Sequence, residues 1–96
     1  MARYNKGKLF VSTLRAFDTN RYETAVAYPF YNNGKIIIVE EYDSYFSASK
    51  GHEKWVKTMT SKKLPKTLVD VSTCGIAQLF KALRGGKNIE YKMEIS

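Results

Sequence analysis

Hydrophobic and polar positions follow a period of two through the first half of the chain. Residues 9–17 carry β-branched and aromatic side chains in imperfect alternation, which predicts a strand. Asp18, Thr19 and Asn20 then supply turn residues. Residues 22–31 show the clearest alternation, with Tyr22, Thr24, Val26, Tyr28 and Phe30 on one face and Glu23, Ala25, Ala27, Pro29 and Tyr31 on the other. Pro29 has no backbone donor, so this end of the strand lies at a sheet edge or interrupts the ladder. Asn32-Asn33-Gly34 predicts a tight hairpin, because both residues of an Asn-Gly pair accept positive φ. The return run, residues 35–42, opens on Ile36-Ile37-Ile38-Val39 and closes on Glu40-Glu41-Tyr42. A first half covered on both faces, and last residues emerging into solvent, are expected.

From Ser47 the period lengthens to about 3.6. Ala48, His52, Trp55, Val56 and Met59 form one stripe of a helix expected over residues 47–60, while Lys50, Glu53, Lys54 and Lys57 fall outside it. Gly51 weakens such a helix by about 1 kcal/mol relative to alanine, which implies that the helix backbone closely approaches the sheet there. Pro65 ends the helical pattern and leaves Lys62, Lys63 and Lys66 in a basic loop. Residues 67–72 read as a short strand or an extended connection. Ile76, Leu79, Phe80 and Leu83 then mark a second amphipathic helix over about residues 73–84, stopped by Gly85-Gly86. Residues 89–95 alternate well enough for a last strand, although a terminal segment can equally stay loose. The expected fold is α+β: a three- to four-stranded antiparallel sheet with one helix packed on it and a second, C-terminal helix.

Length makes this a single domain, since 96 residues suffice for one modest core and not for two. Hydrophobic residues at 44% and charged residues at 26% match globular averages, and argue against a disordered chain. The longest strongly apolar run, Ile36-Ile37-Ile38-Val39, is far short of the roughly 18 residues of a membrane span. The charged N-terminal residues lead into no apolar stretch with a cleavage site, so neither a secretory signal nor a membrane partner is expected and the predicted compartment is cytoplasmic. Cys74, the single cysteine, has no partner for a disulfide or a zinc site. It reads as a small buried residue at a helix start or, less commonly, a reactive thiol.

Chemistry is sparse. His52-Glu53 lacks the second histidine of a zincin helix, because position 56 is Val. A lone histidine on an apolar stripe is more often a hydrogen-bonded core or boundary residue. The hydroxyls of Ser12, Thr13, Ser47, Ser49, Ser72 and Thr73 have only His52 as a possible base, and no nucleophile elbow surrounds them. Glu40, Glu41 and Asp43 read as strand-end charge rather than a divalent-metal site, and Gly85-Gly86 follows a helix and lacks phosphate-loop spacing. No catalytic residue, metal or cofactor is expected, and the chain reads as a non-enzyme.

Sixteen Lys and Arg against nine Asp and Glu give a net charge of +7, which favours anionic partners, nucleic acid first, or simply keeps the chain soluble. Lys50, Lys54 and Lys57 on the first helix, Lys62, Lys63 and Lys66 in the loop, and Lys81, Arg84 and Lys87 at the second helix are the candidate phosphate-binding residues. Tyr28, Tyr31, Tyr42, Tyr45 and Phe46 offer stacking surfaces, with core packing the more common fate of such residues. No helix-turn-helix, zinc-finger or RNP-type motif is present, so sequence-specific base reading is not indicated.

Val11-Ser12-Thr13, Tyr22-Glu23-Thr24, Tyr45-Phe46-Ser47, Gly51-His52-Glu53 and Val56 stand in an order that resembles small phage and prophage proteins carrying V-S-T, F/Y-E-T-M-V-F and Y-S-T-x-x-E-A-x-x-G-H-E-x-x-V elements. Ala25, Ala27, Ser49 and Lys50 depart from that pattern. The family has no assigned biochemical activity. The resemblance implies a phage or prophage origin and the cytoplasm of an infected or lysogenic bacterial host. Two functions follow as expectations: an accessory protein touching nucleic acid or a nucleoprotein, or an inhibitor of a host defence or replication protein. A minor virion or assembly component is a third.

Overall fold

The computed structural model of the protein describes residues 1–16, 20–72 and 75–94. Strands β1 (Ala2–Lys6), β2 (Leu9–Arg15), β3 (Tyr22–Ala27) and β4 (Ile37–Tyr42) form an antiparallel sheet in chain order. Helix α1 (Tyr45–Thr60) packs across one face of it. Strands β5 (Thr67–Val69) and β6 (Glu90–Lys92) form a separate antiparallel pair, and helix α2 (Gly75–Leu83) lies between them in the chain. The fold is α+β, as the pattern of periods predicts.

Strand β1 was not expected. Its residues are mostly charged or polar and exposed, the composition of an edge strand kept from pairing further, and this hides it from a hydrophobic-pattern reading. Gly7, at φ +59, makes the turn that sets Lys6 opposite Leu9.

The tight Asn-Gly hairpin also gives way. β3 ends at Ala27 and β4 starts only at Ile37, with Asn32–Gly34 forming a 3₁₀ turn inside the connection. Two features displace the simple hairpin. Pro29 cannot donate to a ladder and sits in a turn closed by Tyr31 N–H donating to the Tyr28 carbonyl at 2.9 Å. Tyr31 is then fully buried, its hydroxyl donating to the Pro65 carbonyl at 2.5 Å. Asn33 and Gly34 still adopt the positive φ expected of the Asn-Gly pair, at 54 and 82°, and Asn32 adopts one too, at 49°.

In β4 the expected burial holds for Ile37 and Val39 but fails at the two ends of the run. Ile36, just before the strand, is exposed, whereas Tyr42 at its end is buried. Tyr42 turns inward through a register shift opposite Thr24 and Ala25: Ala25 pairs with Ile38 but Thr24 pairs with Glu40. The extra residue, Val39, returns Glu40 and Tyr42 to the α1 side of the sheet.

The layer between sheet and helix divides in two. Under the C-terminal half of α1, Leu9, Val11, Val26, Ile37, Val39, Met59 and Leu68 form an apolar core closed by Tyr31. Under the N-terminal half, Thr13, Thr24 and Tyr42 are all buried and polar. Ser44 caps the helix, its hydroxyl accepting from Ser47 N–H at 3.1 Å, so α1 begins two residues before the expected start.

Gly51 faces this polar half, and its backbone meets the Tyr42 ring. A Cβ built there would lie 2.1 Å from the Tyr42 hydroxyl oxygen and 2.3 Å from two ring carbons. The sheet beneath is the neighbour the sequence implies for Gly51. Gly51→Ala is therefore expected to destabilise the protein by about 1–3 kcal/mol through overpacking, even though alanine favours an isolated helix by about 1 kcal/mol. Urea unfolding checks this, and a stability equal to or above that of the parent would refute the contact.

Candidate functional site

Beneath α1 the buried polar groups join end to end. His52 Nδ1 lies 2.7 Å from Thr13 Oγ1, which is 2.6 Å from Thr24 Oγ1, which is 3.0 Å from the Tyr42 hydroxyl. The Tyr42 hydroxyl donates to Glu40 Oε1 at 3.1 Å. Trp55 Nε1 and Lys54 Nζ donate to the same carboxylate oxygen at 2.8 and 2.5 Å. Sheet pairing makes the chain possible: Thr13 stands opposite Thr24, and the β4 register shift brings Glu40 and Tyr42 alongside.

One chemical constraint orients every bond in this chain. An ionised carboxylate only accepts, and each hydroxyl has a single proton. Tyr42 donates to Glu40, so Thr24 donates to Tyr42, Thr13 donates to Thr24, and His52 Nδ1–H donates to Thr13. His52 is thereby held as the Nδ1–H tautomer.

Charge follows the same logic. Burial pushes the Glu40 carboxyl up, but the Lys54, Trp55 and Tyr42 donors and the Lys54 charge outweigh it and hold it below its ordinary value of 4.5. Burial, with the Glu40 carboxylate adjacent, pushes the Tyr42 phenol up to about 12 against the lowering effect of its Thr24 and Trp55 hydrogen bonds. Burial lowers His52 below 6.5, opposed by Glu53 and aided by the N-terminal ammonium. The His52, Thr13 and Thr24 elements of the sequence motifs thus meet in one interior network that pins helix to sheet. Glu40 and Glu41 are half-buried and partnered rather than solvated strand-end charges: Glu41 and Asp43 face Arg21 at 3.8 and 3.0 Å. Among the described residues no group of three or more His, Cys, Asp or Glu is placed to hold a metal. Cys74 and Thr73 lie outside the described residues.

The basic residues separate into three sets. Lys50 and Lys57 are exposed on the outer side of α1, Lys50 with its ammonium 5.4 Å from the Phe46 ring centre. Lys54 is turned to other use, paired with Glu40 and 5.4 Å over the Trp55 ring. Lys62, Lys63 and Lys66 are exposed in the loop that follows α1. Lys81 lies in the last turn of α2 and Arg84 just after it, and among the described residues α2 is not packed broadly on α1, which separates them from the other lysines. Lys87 follows the Gly85-Gly86 stop, where Gly86 N–H donates to the Lys81 carbonyl at 2.9 Å and both glycines have positive φ. Tyr31 and Tyr42 are core residues; Tyr45 and Phe46 are exposed on the first turn of α1.

Where α1 ends, a groove of about 710 Å³ opens between three segments. The β1–β2 turn contributes Lys6 and Lys8, the β3–β4 connection Tyr28 and Phe30, and the end of α1 Thr60 and Lys62, with Leu9, Met59 and Leu64 also lining it. Tyr28 and Phe30 pack edge to face, centroids 5.0 Å apart. Lys6, Lys8 and Phe30 were not singled out from the sequence as site residues. The available signal was the Lys6-Gly7-Lys8 turn, which carries two cations only once β1 is recognised as a strand.

No protein-family model, curated protein or solved structure matches this chain.

The network implies a sign for acid sensitivity. Both His52 and Glu40 bind protons less readily folded than unfolded, so stability is full at neutral pH and falls with acidification, first below about 6.5 through His52 and further below about 4.5 through Glu40. Thr13→Val, which leaves His52 Nδ1–H unpaired, is expected to cost about 1–3 kcal/mol at pH 7. Denaturant titrations across pH on both proteins check this, and an unchanged midpoint in Thr13→Val would contradict the network.

Proposed function

We propose that the protein is a non-enzymatic binding module for nucleic acid or a nucleoprotein, acting through the outer face of α1 and the loop after it. The observation that carries this reading is the continuity of unpaired cations from Lys50 and Lys57 along α1 to Lys62 and Lys63 beyond its end, with no ion pair to any of them among the described residues. Cations unmet by carboxylates release phosphate counterions on binding, and such a surface is held to nucleic acid by charge rather than by base edges. Lys54 serves this surface indirectly, since its bond to Glu40 fixes the face on which its neighbours stand. A phage or prophage origin, as the sequence motifs imply, belongs to the same proposal.

Fluorescence anisotropy with a labelled oligonucleotide tests the reading. Binding is expected at 50 mM salt, falling steeply by 200 mM, and a Lys57→Glu, Lys62→Glu, Lys63→Glu variant is expected to weaken it at least tenfold while unfolding normally. Absence of binding by the parent at 50 mM salt would overturn it.

A second reading rests on α2, whose Leu79, Phe80 and Leu83 are 60, 52 and 75% exposed. Such a stripe is ordinarily covered, and a host protein is the cover proposed. A stoichiometric partner drawn from nuclease-treated host lysate by the parent, but not by a Leu79→Ser, Phe80→Ser, Leu83→Ser variant, is expected; capture of the same partner by both would refute a role for α2.

A further inference from the structure

We infer that the groove at the end of α1 is a subsite for an unpaired nucleobase of a single-stranded nucleic acid, an inference that rests on the nucleic-acid reading above and names its substrate. The groove joins two chemistries in one concave surface. Its rim carries Lys6 and Lys8 on the β1–β2 turn and Lys62 on the loop after α1, so cations stand on different segments. Between them Tyr28 and Phe30 make an aromatic wall over a floor that includes Leu9, Met59 and Leu64. A base with its flanking phosphates has this composition: an apolar π-face to stack and an anion on either side.

The wall is also held in place. Phe30 sits in the turn closed by Tyr31 N–H and the Tyr28 carbonyl, its own carbonyl accepts from Glu94 N–H at 2.7 Å, and Tyr31 behind it is locked in the core. Phe30 therefore stays 37% exposed on a rigid turn, and its ring meets a ligand with little ordering cost. The helix end supplies no opposing charge of consequence. Carbonyls at a C-terminus repel anions, but here Thr60 Oγ1 donates to the Val56 carbonyl at 2.7 Å and Ser61 Oγ to the Thr58 carbonyl at 2.9 Å. A duplex cannot use this site, since its bases are stacked on one another; an unpaired strand can.

The test compares a ten-residue thymidine oligonucleotide with an abasic oligomer of equal length and charge, each labelled, at 50 mM salt. The parent is expected to bind the base-bearing strand roughly tenfold or more tightly than the abasic one, the range that one stacked base supplies. Phe30→Ala should abolish that preference while leaving abasic binding unchanged, and Phe30→Trp should restore it. Lys6→Gln with Lys8→Gln should weaken both ligands together. Equal affinity of the parent for the two strands overturns the base subsite and leaves the nucleic-acid reading standing; no binding of either overturns both. Thymidine monophosphate binding as tightly as the oligomer would show a free-nucleotide site and overturn the strand assignment.

Discussion

The missing Cβ at Gly51 is the constraint on which the rest of the molecule turns. It lets α1 settle until its backbone touches the Tyr42 ring, a distance no other residue would permit. At that distance His52 reaches Thr13, and Trp55 and Lys54 reach Glu40. A helix standing farther off would break the His52–Thr13 bond and strip Glu40 of its Trp55 and Lys54 donors, a cost that grows with each orphaned group. A small sheet with one covering helix has only a modest apolar core to set against chain entropy. Its polar half therefore has to be fully bonded.

The network is specific in a way the apolar half is not. Hydrophobic contacts among Leu9, Val26 and Met59 tolerate some sliding. The hydrogen bonds from His52 to Thr13 and from Lys54 and Trp55 to Glu40 do not, because each needs its donor within hydrogen-bond reach of one fixed oxygen on the sheet. The helix is thus registered on the sheet by polar chemistry and held there by apolar burial. That registry decides which lysines face outward and where the helix ends, and so positions the groove between the β1–β2 turn and Phe30.

Helix α2 stands outside this scheme. It has a well-formed C-terminal stop and an exposed apolar stripe, lies in the chain between β5 and β6, and among the described residues is not packed broadly on the sheet. Among the described residues it is the element with least to hold it to the rest. The two proposed binding modes therefore draw on different ends of the chain: cations and an aromatic wall ordered by the core, and an apolar stripe that the core leaves free.

The amino-acid sequence by itself determined the fold class, the strand character of β2, β3 and β4, the place and C-terminal end of α1 and its inward stripe, the stop of α2 before Gly85-Gly86, and the need for close contact at Gly51. Each of these follows from local periodicity or from what a single residue type permits. Tertiary structure alone decided the rest. Strand β1 is polar and exists because β2 offers it an edge. The connection through Asn32–Gly34 is long because Tyr31 gains more from burial than a tight hairpin would return. Tyr42 is inside because one bulge reverses the facing of residues after Val39. Lys54 reads from the sequence as a surface cation, yet it pairs with Glu40, and a pairing between residues fourteen positions apart has no trace in local pattern. The groove likewise gathers residues 6 to 64 from three turns, and proximity between distant turns is a property of packing, not of sequence period.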